Sequence, residues 1–283
     1  MRFMRRNIAA NPVAWPVLLA LATVVIAAAS AALPLTAFAK DATSAKPTVV
    51  LVHGAFAGSS SWNGVAAGLL AKGYSVVAVA NPLRSVKGDA SAVASVIDAV
   101  AGPVVLVGHS YGGNVITGAA SGKSNVKALV YVAGFAPEQG ETAAKLSSQF
   151  PGSTLGPTLA PPVPLADGGK DLYIKQDKFH QQFAADVPAG DAKLMAATQR
   201  PVTDAALNEP AAADPAWKSI PSWFIYGSLD KNIPAAAHAF MARRAGSKQT
   251  VEIAGASHVV MVSHPDALVK LIDQASAKVA KDQ

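Results

Sequence analysis

Residues 104–113 read VVLVGHSYGG, and they decide the fold of this 283-residue chain. The four apolar residues Val104–Val107 are typical of a strand that is buried on both faces. Directly after them, Gly108-His109-Ser110-Tyr111-Gly112 matches the pattern G-x-S-x-G, and a helical stretch follows. A serine on such a sharp strand-to-helix turn carries its hydroxyl above the sheet, and Gly108 and Gly112 allow the turn to pack closely. The stretch predicts a parallel sheet with Ser110 as a nucleophile.

Five further apolar runs lie on either side of this stretch: Thr48–Val52, Ser75–Ala80, Val126–Val132, Ser222–Tyr226 and Thr250–Ile253. Ala-rich or amphipathic stretches that suit helices separate the runs: Trp62–Lys72, Asp89–Val100, Asn114–Ser121, Ala235–Ala245 and Asp266–Lys281. Alternation of strands and helices predicts a doubly wound α/β fold. We expect a mostly parallel sheet of about six strands flanked by helices.

The segment Pro137–Trp217 interrupts this alternation. It has no Val-rich run, is proline-rich from Pro151 to Pro164, and has a helical pattern from Lys170 to Ala197. About eighty residues are too many for a connecting loop. Because the segment lacks an apolar core of its own, we expect a lid inserted into the main domain rather than a separate domain.

The N-terminus has the pattern of a secretory signal peptide over residues 1–39. Three arginines, Arg2, Arg5 and Arg6, precede a short apolar centre, and Ala37-Phe38-Ala39 forms an A-x-A end. Cleavage after Ala39 would export a domain of residues 40–283 to the periplasm or the medium. An uncleaved membrane anchor is the alternative, and the pair Arg5-Arg6 leaves twin-arginine export open.

Composition and charge exclude several classes of protein. A chain that is 51% hydrophobic and 15% charged is not disordered, and without cysteine it has no disulfide scaffold, thiolate metal site or cysteine nucleophile. The net charge of +6 becomes +3 when the three arginines of the signal peptide are removed. We therefore expect no nucleic-acid partner, and contact with a membrane only through the export signal. The sequence makes no prediction of the oligomeric state.

A serine nucleophile needs a histidine base that is oriented by a third group. His258 follows the last strand, at the end of the sheet where Ser110 is expected, and is the candidate base. Of the other histidines, His53 is interpreted as structural, and the side chain of His109 should point away from that of Ser110. The remaining three are placed away from the site: His180 in the insertion, His238 in a helix and His264 at the start of a helix.

Asp230 is the candidate acid, because it lies in a loop four residues beyond the strand Ser222–Tyr226 and gives the chain order Ser, Asp, His. Glu138, which follows the strand ending at Val132, is the weaker alternative. Asp204 and Asp214 lie in the insertion and are poorer candidates still.

Four motifs in this order resemble the α/β-hydrolase superfamily over nearly the whole mature chain. Residues 50–56 (VLVHGAF) resemble its oxyanion segment and residues 107–113 its nucleophile elbow, while residues 226–234 and 256–258 resemble its acid and histidine loops. Residues 49–62 are similar to those of small plant-type esterases, hydroxynitrile lyases and their bacterial relatives. The hydroxynitrile lyases carry Lys directly after the catalytic histidine. This chain has Val259 there, which favours an esterase.

The resemblance implies a serine hydrolase that cleaves small, largely apolar carboxylic esters through an acyl-enzyme, with no metal or organic cofactor. The backbone N–H of Tyr111 and that of Ala55 or Phe56 would hold the oxyanion. A cofactor-free haloperoxidase or perhydrolase, a lactonase, and a non-catalytic binding protein remain alternatives. Apolar residues of the insertion either form the wall of a substrate pocket or only pack the insertion on the body: Phe179, Phe183 and Tyr173, together with Phe150, Leu172 and Met195.

Overall fold

The computed structural model describes residues 46–281, so the predicted signal peptide and its cleavage site lie outside the described residues. The strands of the main sheet are β1 (Thr48–Val52), β2 (Val76–Val79), β3 (Val104–His109), β4 (Val126–Val132), β8 (Ser222–Gly227) and β9 (Gln249–Ile253). A second sheet contains β5 (Val163–Pro164), β6 (Lys170–Leu172) and β7 (Val202–Thr203).

The α-helices are α1 (Asn63–Ala71), α2 (Val86–Asp98), α3 (Tyr111–Ala119), α4 (Ala143–Ser148), α5 (Leu155–Thr158), α6 (Gln176–Phe183), α7 (Ala189–Thr198), α8 (Asp204–Asn208), α9 (Ala235–Arg244), α10 (Val260–Ser263) and α11 (Pro265–Lys281). Short 3₁₀ turns cover Ser59–Trp62 and Ala216–Lys218. Within the described residues, no helix is both long and apolar enough to span a membrane.

The main sheet has the strand order β2-β1-β3-β4-β8-β9, and every neighbouring pair is parallel. This confirms the predicted α/β fold with a six-stranded parallel sheet. The inner strands β3 and β8 are buried along their whole length, as are the last four residues of β1. Successive side chains of a strand point to opposite faces, so helices must cover both faces. Each fully buried leucine or valine there stabilises the fold by about 1.5–3 kcal/mol.

The turn between β3 and α3 is packed closely against neighbouring backbone. A Cβ on Gly112 would lie 2.5 Å from the carbonyl oxygen of Val52, at the end of β1, and a Cβ on Gly108 would lie 2.6 Å from the carbonyl oxygen of Gly112. Real Cβ atoms essentially never come so close to backbone. The glycines therefore let α3 begin directly against the ends of β1 and β3, where Ser110 lies.

The predicted insertion lies between β4 and β8, and its two ends meet. Trp217 Nε1 donates a hydrogen bond to the carbonyl oxygen of Pro137 at 2.8 Å. The segment holds α4 to α8 and the antiparallel sheet β5-β6-β7. The helical pattern predicted from Lys170 to Ala197 is confirmed for α6 and α7 but is wrong at its start, because residues 170–172 pair as strand β6. Pro188, whose backbone nitrogen has no hydrogen to donate, precedes the second of these helices.

Candidate active site

Ser110 has a backbone conformation that L-residues rarely adopt, with φ of 53° and ψ of −123°. Three hydrogen bonds hold it there. Its N–H donates to the carbonyl oxygen of Val132 at 3.1 Å, and its own carbonyl oxygen accepts from the N–H groups of Gly113 at 2.9 Å and Phe135 at 3.2 Å. Strain of this kind persists only where the surroundings over-determine the backbone. The side chain of Ser110 faces a cavity at the carboxyl end of the sheet.

His258 and Asp230 meet at the same end of the sheet, in the loops that follow β9 and β8. Nδ1 of His258 lies 2.7 Å from Oδ2 of Asp230, and both side chains are almost completely buried. Oδ1 of Asp230 accepts from the N–H groups of Asn232 at 2.8 Å and Ile233 at 3.0 Å. His258 borders the same cavity as Ser110, and no described residue hydrogen-bonds to its Nε2. The three predicted residues are therefore brought to one site.

Burial alone would raise the pKa of Asp230, since it removes water from the charged form. The charge of protonated His258, together with hydrogen bonds from His238 and His258, outweighs burial and holds the pKa well below its ordinary value. The carboxylate is ionised at neutral pH and can only accept hydrogen bonds. Nδ1 of His258 must therefore carry the proton, which leaves Nε2 with a free lone pair.

The alternative acids lie elsewhere. Glu138 is bound by Lys218 at 2.5 Å on the rim of the insertion, and Asp204 and Asp214 are exposed. None of the three hydrogen-bonds to His258, whose acid partner in the described chain is Asp230.

Two other histidines support the backbone around the site. His109 donates from Nε2 to the carbonyl oxygen of His258 at 3.2 Å, with ring centroids 4.8 Å apart. His53 accepts at Nε2 from the N–H of Asn81 at 3.1 Å and from Arg200 at 3.0 Å. Burial, the largest cause in both cases, lowers the pKa of His53 to about 4. It also lowers the pKa of His109 well below its ordinary value. Both rings are neutral at pH 7.

The candidate oxyanion donors Ala55 and Phe56 differ in whether their backbone N–H already has an acceptor. The N–H of Phe56 already donates to the carbonyl oxygen of Arg200 at 3.0 Å. No described residue accepts from the N–H groups of Ala55 and Tyr111, and Tyr111 is the first residue of α3, whose opening N–H groups have no intrahelical acceptor. Because Gly54 has no side chain, its backbone packs directly against the turn that carries Ser110. A Cβ on residue 54 would lie 2.7 Å from Cβ of Ser110.

A cavity of about 570 Å³ opens on Ser110 and His258. Its walls come from the body and from the insertion, mainly from residues 143–159 and also from Phe183 and Leu207. Among the described residues, the titratable rings that border it are those of His258 and Tyr111. The lining includes Phe135, Ala143, Ala144, Ser147, Ser148, Phe150, Pro151, Leu155, Leu159, Phe183, Leu207 and Ile233. No Asp, Glu, Lys or Arg is among the described residues that border this cavity.

The three predicted pocket residues have different positions. Phe183 borders the cavity, with its ring centroid 5.0 Å from that of His258. Phe179 is fully buried behind it, with ring centroids 4.9 Å apart. Tyr173 does not border the cavity, and its carbonyl oxygen accepts from the N–H of Ala160. Of the further apolar residues, Phe150 lines the cavity whereas Leu172 and Met195 do not.

Sequence reasoning missed two contacts of the site. His238, on α9, binds the same oxygen of Asp230 as His258 does, at 3.0 Å from Nε2. Asp186, in the insertion, accepts a hydrogen bond from Ser257, the residue before His258. Both contacts join residues that are far apart in sequence or on different elements, and no motif marks either of them.

No cluster of three or more His, Cys, Asp or Glu side chains that could hold a metal ion occurs between residues 46 and 281. The arrangement combines a strained serine, a histidine hydrogen-bonded to a buried carboxylate, and two N–H groups for which the described residues supply no acceptor. That combination is chemically suited to nucleophilic acyl transfer.

The fold and the site define the protein as a hydrolase of the α/β class, and comparison with known proteins gives the family. The model of the alpha/beta hydrolase family matches residues 49–271, and the chain belongs to this family. An alpha/beta hydrolase of Aspergillus novofumigatus, nvfD, is 24% identical over 253 residues, covering 82% of this chain and 98% of the fungal protein.

Two solved structures have the same fold at low sequence identity. Polyneuridine aldehyde esterase is 20% identical, with a TM-score of 0.70, and the match covers 81% of this chain and 99% of the esterase. A pyrethroid hydrolase from Sphingobium faniae JZ-2 is also 20% identical, with a TM-score of 0.66, covering 83% and 99% of the two chains.

Proposed function

We propose that this protein is a serine hydrolase that cleaves uncharged, largely apolar carboxylic esters. The observation that carries the proposal is that Ser110 and His258 border one cavity of about 570 Å³, while His258 is hydrogen-bonded to Asp230 behind it. That volume is in the range of small-molecule sites. The names of two structural neighbours, an esterase and a pyrethroid hydrolase, agree with an ester substrate.

In the first half of the reaction, Nε2 of His258 takes the proton from Ser110 as Oγ attacks the ester carbonyl. The N–H groups of Tyr111 and Ala55 hold the oxyanion, and the N-terminus of α3 adds favourable partial charge. As the tetrahedral intermediate collapses, His258 gives its proton to the leaving alcohol and the acyl group stays on Ser110. Asp230 fixes the imidazole tautomer and stabilises the imidazolium.

In the second half, a water molecule attacks the acyl-enzyme. His258 takes a proton from this water and then returns it to Oγ of Ser110, which releases the carboxylic acid. Every proton is accounted for by one base, so the cycle requires no cofactor. Since no described residue that borders the cavity is Asp, Glu, Lys or Arg, the lining supports uncharged substrates, because a charged group would be desolvated there without a partner.

The test is labelling with a fluorophosphonate probe followed by hydrolysis of p-nitrophenyl esters of increasing acyl length. We expect the wild type to be labelled and to hydrolyse the esters, and Ser110→Ala to do neither. Ser147→Ala is the matched control, since Ser147 also borders the cavity, and it should be labelled like the wild type. An unlabelled, inactive wild type would leave a non-catalytic binding protein. Preference for lactones, or activity with peroxide and halide, would select one of the alternative reactions on the same residues.

We also infer that the protein acts after export. The support is the signal-peptide pattern of residues 1–39. Mass spectrometry of the protein from the extracellular or periplasmic fraction should give an N-terminus at Lys40. An intact Met1 in that fraction would contradict cleavage.

A further inference from the structure

The carboxylate of Asp230 holds a second histidine besides His258. His238 lies on α9, and its side chain is 1% exposed. Its Nε2 is 3.0 Å from Oδ2 of Asp230, the same oxygen that lies 2.7 Å from Nδ1 of His258. The ring of His238 is stacked on that of Tyr226, with centroids 4.9 Å apart and planes at 20°. The position of the ring is therefore fixed on two sides.

The hydrogen bonds of Asp230 determine which nitrogen of His238 carries a proton. An ionised carboxylate has about four acceptor positions and no donor. Oδ1 accepts from the N–H groups of Asn232 and Ile233, and Oδ2 accepts from the two rings. Nε2 of His238 must therefore be the protonated nitrogen, and the acceptor positions of Asp230 are all occupied.

We propose that His238 is a positioning residue, which acts through Asp230 to hold the carboxylate in place and to take up part of its negative charge. This inference rests on the proposed function, in which His258 is the base. A carboxylate whose charge is shared with a second donor attracts an imidazolium less strongly. His238 then lets His258 stay neutral, and so remain an active base, at lower pH than Asp230 alone would allow.

The charged and titratable groups around the two rings are few. His238 contacts Asp230 and Tyr226, and the hydroxyl of Tyr226 lies 3.3 Å from the carboxylate of Glu252. Arg243 is the further charge that acts on Tyr226. His258 faces Asp230 and the neutral ring of His109, as well as Ser110 across the cavity. Asp230 is thus the shared partner through which a change at His238 reaches His258.

The test removes the N–H donor at position 238 while an aromatic ring is kept, and then restores a donor without the ring. His238→Phe can stack on Tyr226 but has no N–H for Asp230, whereas His238→Gln keeps an N–H donor near the position of Nε2. We expect the acidic limb of the kcat/KM pH profile of His238→Phe to move up by roughly half a pH unit to one unit. His238→Gln should return the limb to within a few tenths of a unit of its wild-type position.

A second measurement does not depend on ester hydrolysis. NMR titration of the ¹⁵N-labelled His258 ring, in a Ser110→Ala background, should give a higher titration midpoint with His238→Phe than with His238. If this midpoint moves as expected while no ester is hydrolysed by the wild type, the proposed function fails and the inference about His238 holds.

An unchanged limb and an unchanged midpoint in a folded His238→Phe protein would overturn the inference. So would an equal shift in His238→Gln, because the loss of packing rather than of the donor would then be the cause. Circular dichroism and the melting temperature show whether each variant is folded. If His238→Phe does not fold, His238→Leu takes its place, since leucine is smaller and also lacks the donor.

Discussion

The main sheet and the insertion (residues 137–217) form the two sides of one cavity in different ways. The sheet contributes the reactive groups at the ends of long, fully buried strands, where Ser110 and Asp230 are held by backbone hydrogen bonds. The insertion contributes apolar walls from short elements, among them a helix of six residues and another of four. The strands of the main sheet therefore position the reactive groups, and the short elements of the insertion determine the shape of the cavity.

The two regions are nevertheless tied together at the loops that carry the acid and the base. Gln182 of the insertion donates to Oδ1 of Asn232 at 2.8 Å and to the carbonyl oxygen of Lys231 at 2.9 Å, directly after Asp230. Ser257, next to His258, donates to Asp186 of the insertion. Away from these contacts, the insertion supplies walls of the cavity and the body supplies the reactive groups. Changes in the body should therefore affect the rate of reaction, and changes at the cavity-lining residues of the insertion should affect mainly which substrate is chosen.

The strongest test of this division is Asp230→Asn in the body. The amide cannot hold His258 with a proton on Nδ1 as the carboxylate does, so we expect kcat to fall about 10⁴-fold. Glu138→Gln is the matched control, because Glu138 is the alternative acid from the insertion and binds Lys218 instead. Its kcat should stay within about twofold of the wild type. If Glu138→Gln lost activity and Asp230→Asn did not, the acid would come from the insertion.

Two leucines, one in each region, test how much a side chain of that region contributes to the free energy of unfolding. Leu106 lies fully buried in β3, while Leu194, on α7 of the insertion, is 64% exposed. Leu106→Ala removes buried methyl groups and leaves a cavity, so it should lower the free energy of unfolding by about 2–5 kcal/mol. The same change at Leu194 should stay within about 0.5 kcal/mol. Urea denaturation measures both, and equal losses would mean that Leu194 is covered in solution.

Between pH 7 and pH 5, the pH dependence of stability should originate mainly in the body. Burial lowers the pKa of His53 to about 4, so the unfolded chain binds a proton between pH 6.5 and pH 4 that the folded chain does not. Stability is therefore lost as pH falls through this window, by about 2 kcal/mol between pH 7 and pH 5 for His53 alone. His109 adds a loss in the same direction. Urea denaturation at the two pH values should give a smaller difference for His53→Asn.

The body could be predicted from sequence because its signals are local. The inner strands β1, β3 and β8 are runs of mainly apolar residues buried on both faces, and Gly108 to Gly112 mark the turn after β3. The positions of Asp230 and His258 relative to strand ends followed from the same pattern. A contact such as that of His238 with Asp230 could not be predicted, because it depends on how α9 rotates as it packs against β8.

The insertion could be delimited but not built from sequence. Its strands of two or three residues form only because other strands of the segment supply hydrogen-bond partners. Leu172, for example, pairs with Val202. No periodicity can appear over so few residues. For the same reason the choice of cavity residues by aromatic character alone included Tyr173, which does not border the cavity, and omitted the small residues of α4, which do.

Two aromatic residues of the insertion test the assignment of substrate choice to that region. Phe150 borders the cavity and Tyr173 does not. Phe150→Ala lengthens the space available to an acyl chain, and one or two extra methylene groups in an apolar pocket are worth about 1–3 kcal/mol. The ratio of kcat/KM for long against short p-nitrophenyl esters should therefore rise about tenfold, with kcat for the short ester nearly unchanged. Tyr173→Ala should leave the ratio as it is. If both variants changed the ratio equally, the insertion would act through its overall packing on the body, and cavity shape would not be set by the residues that line it.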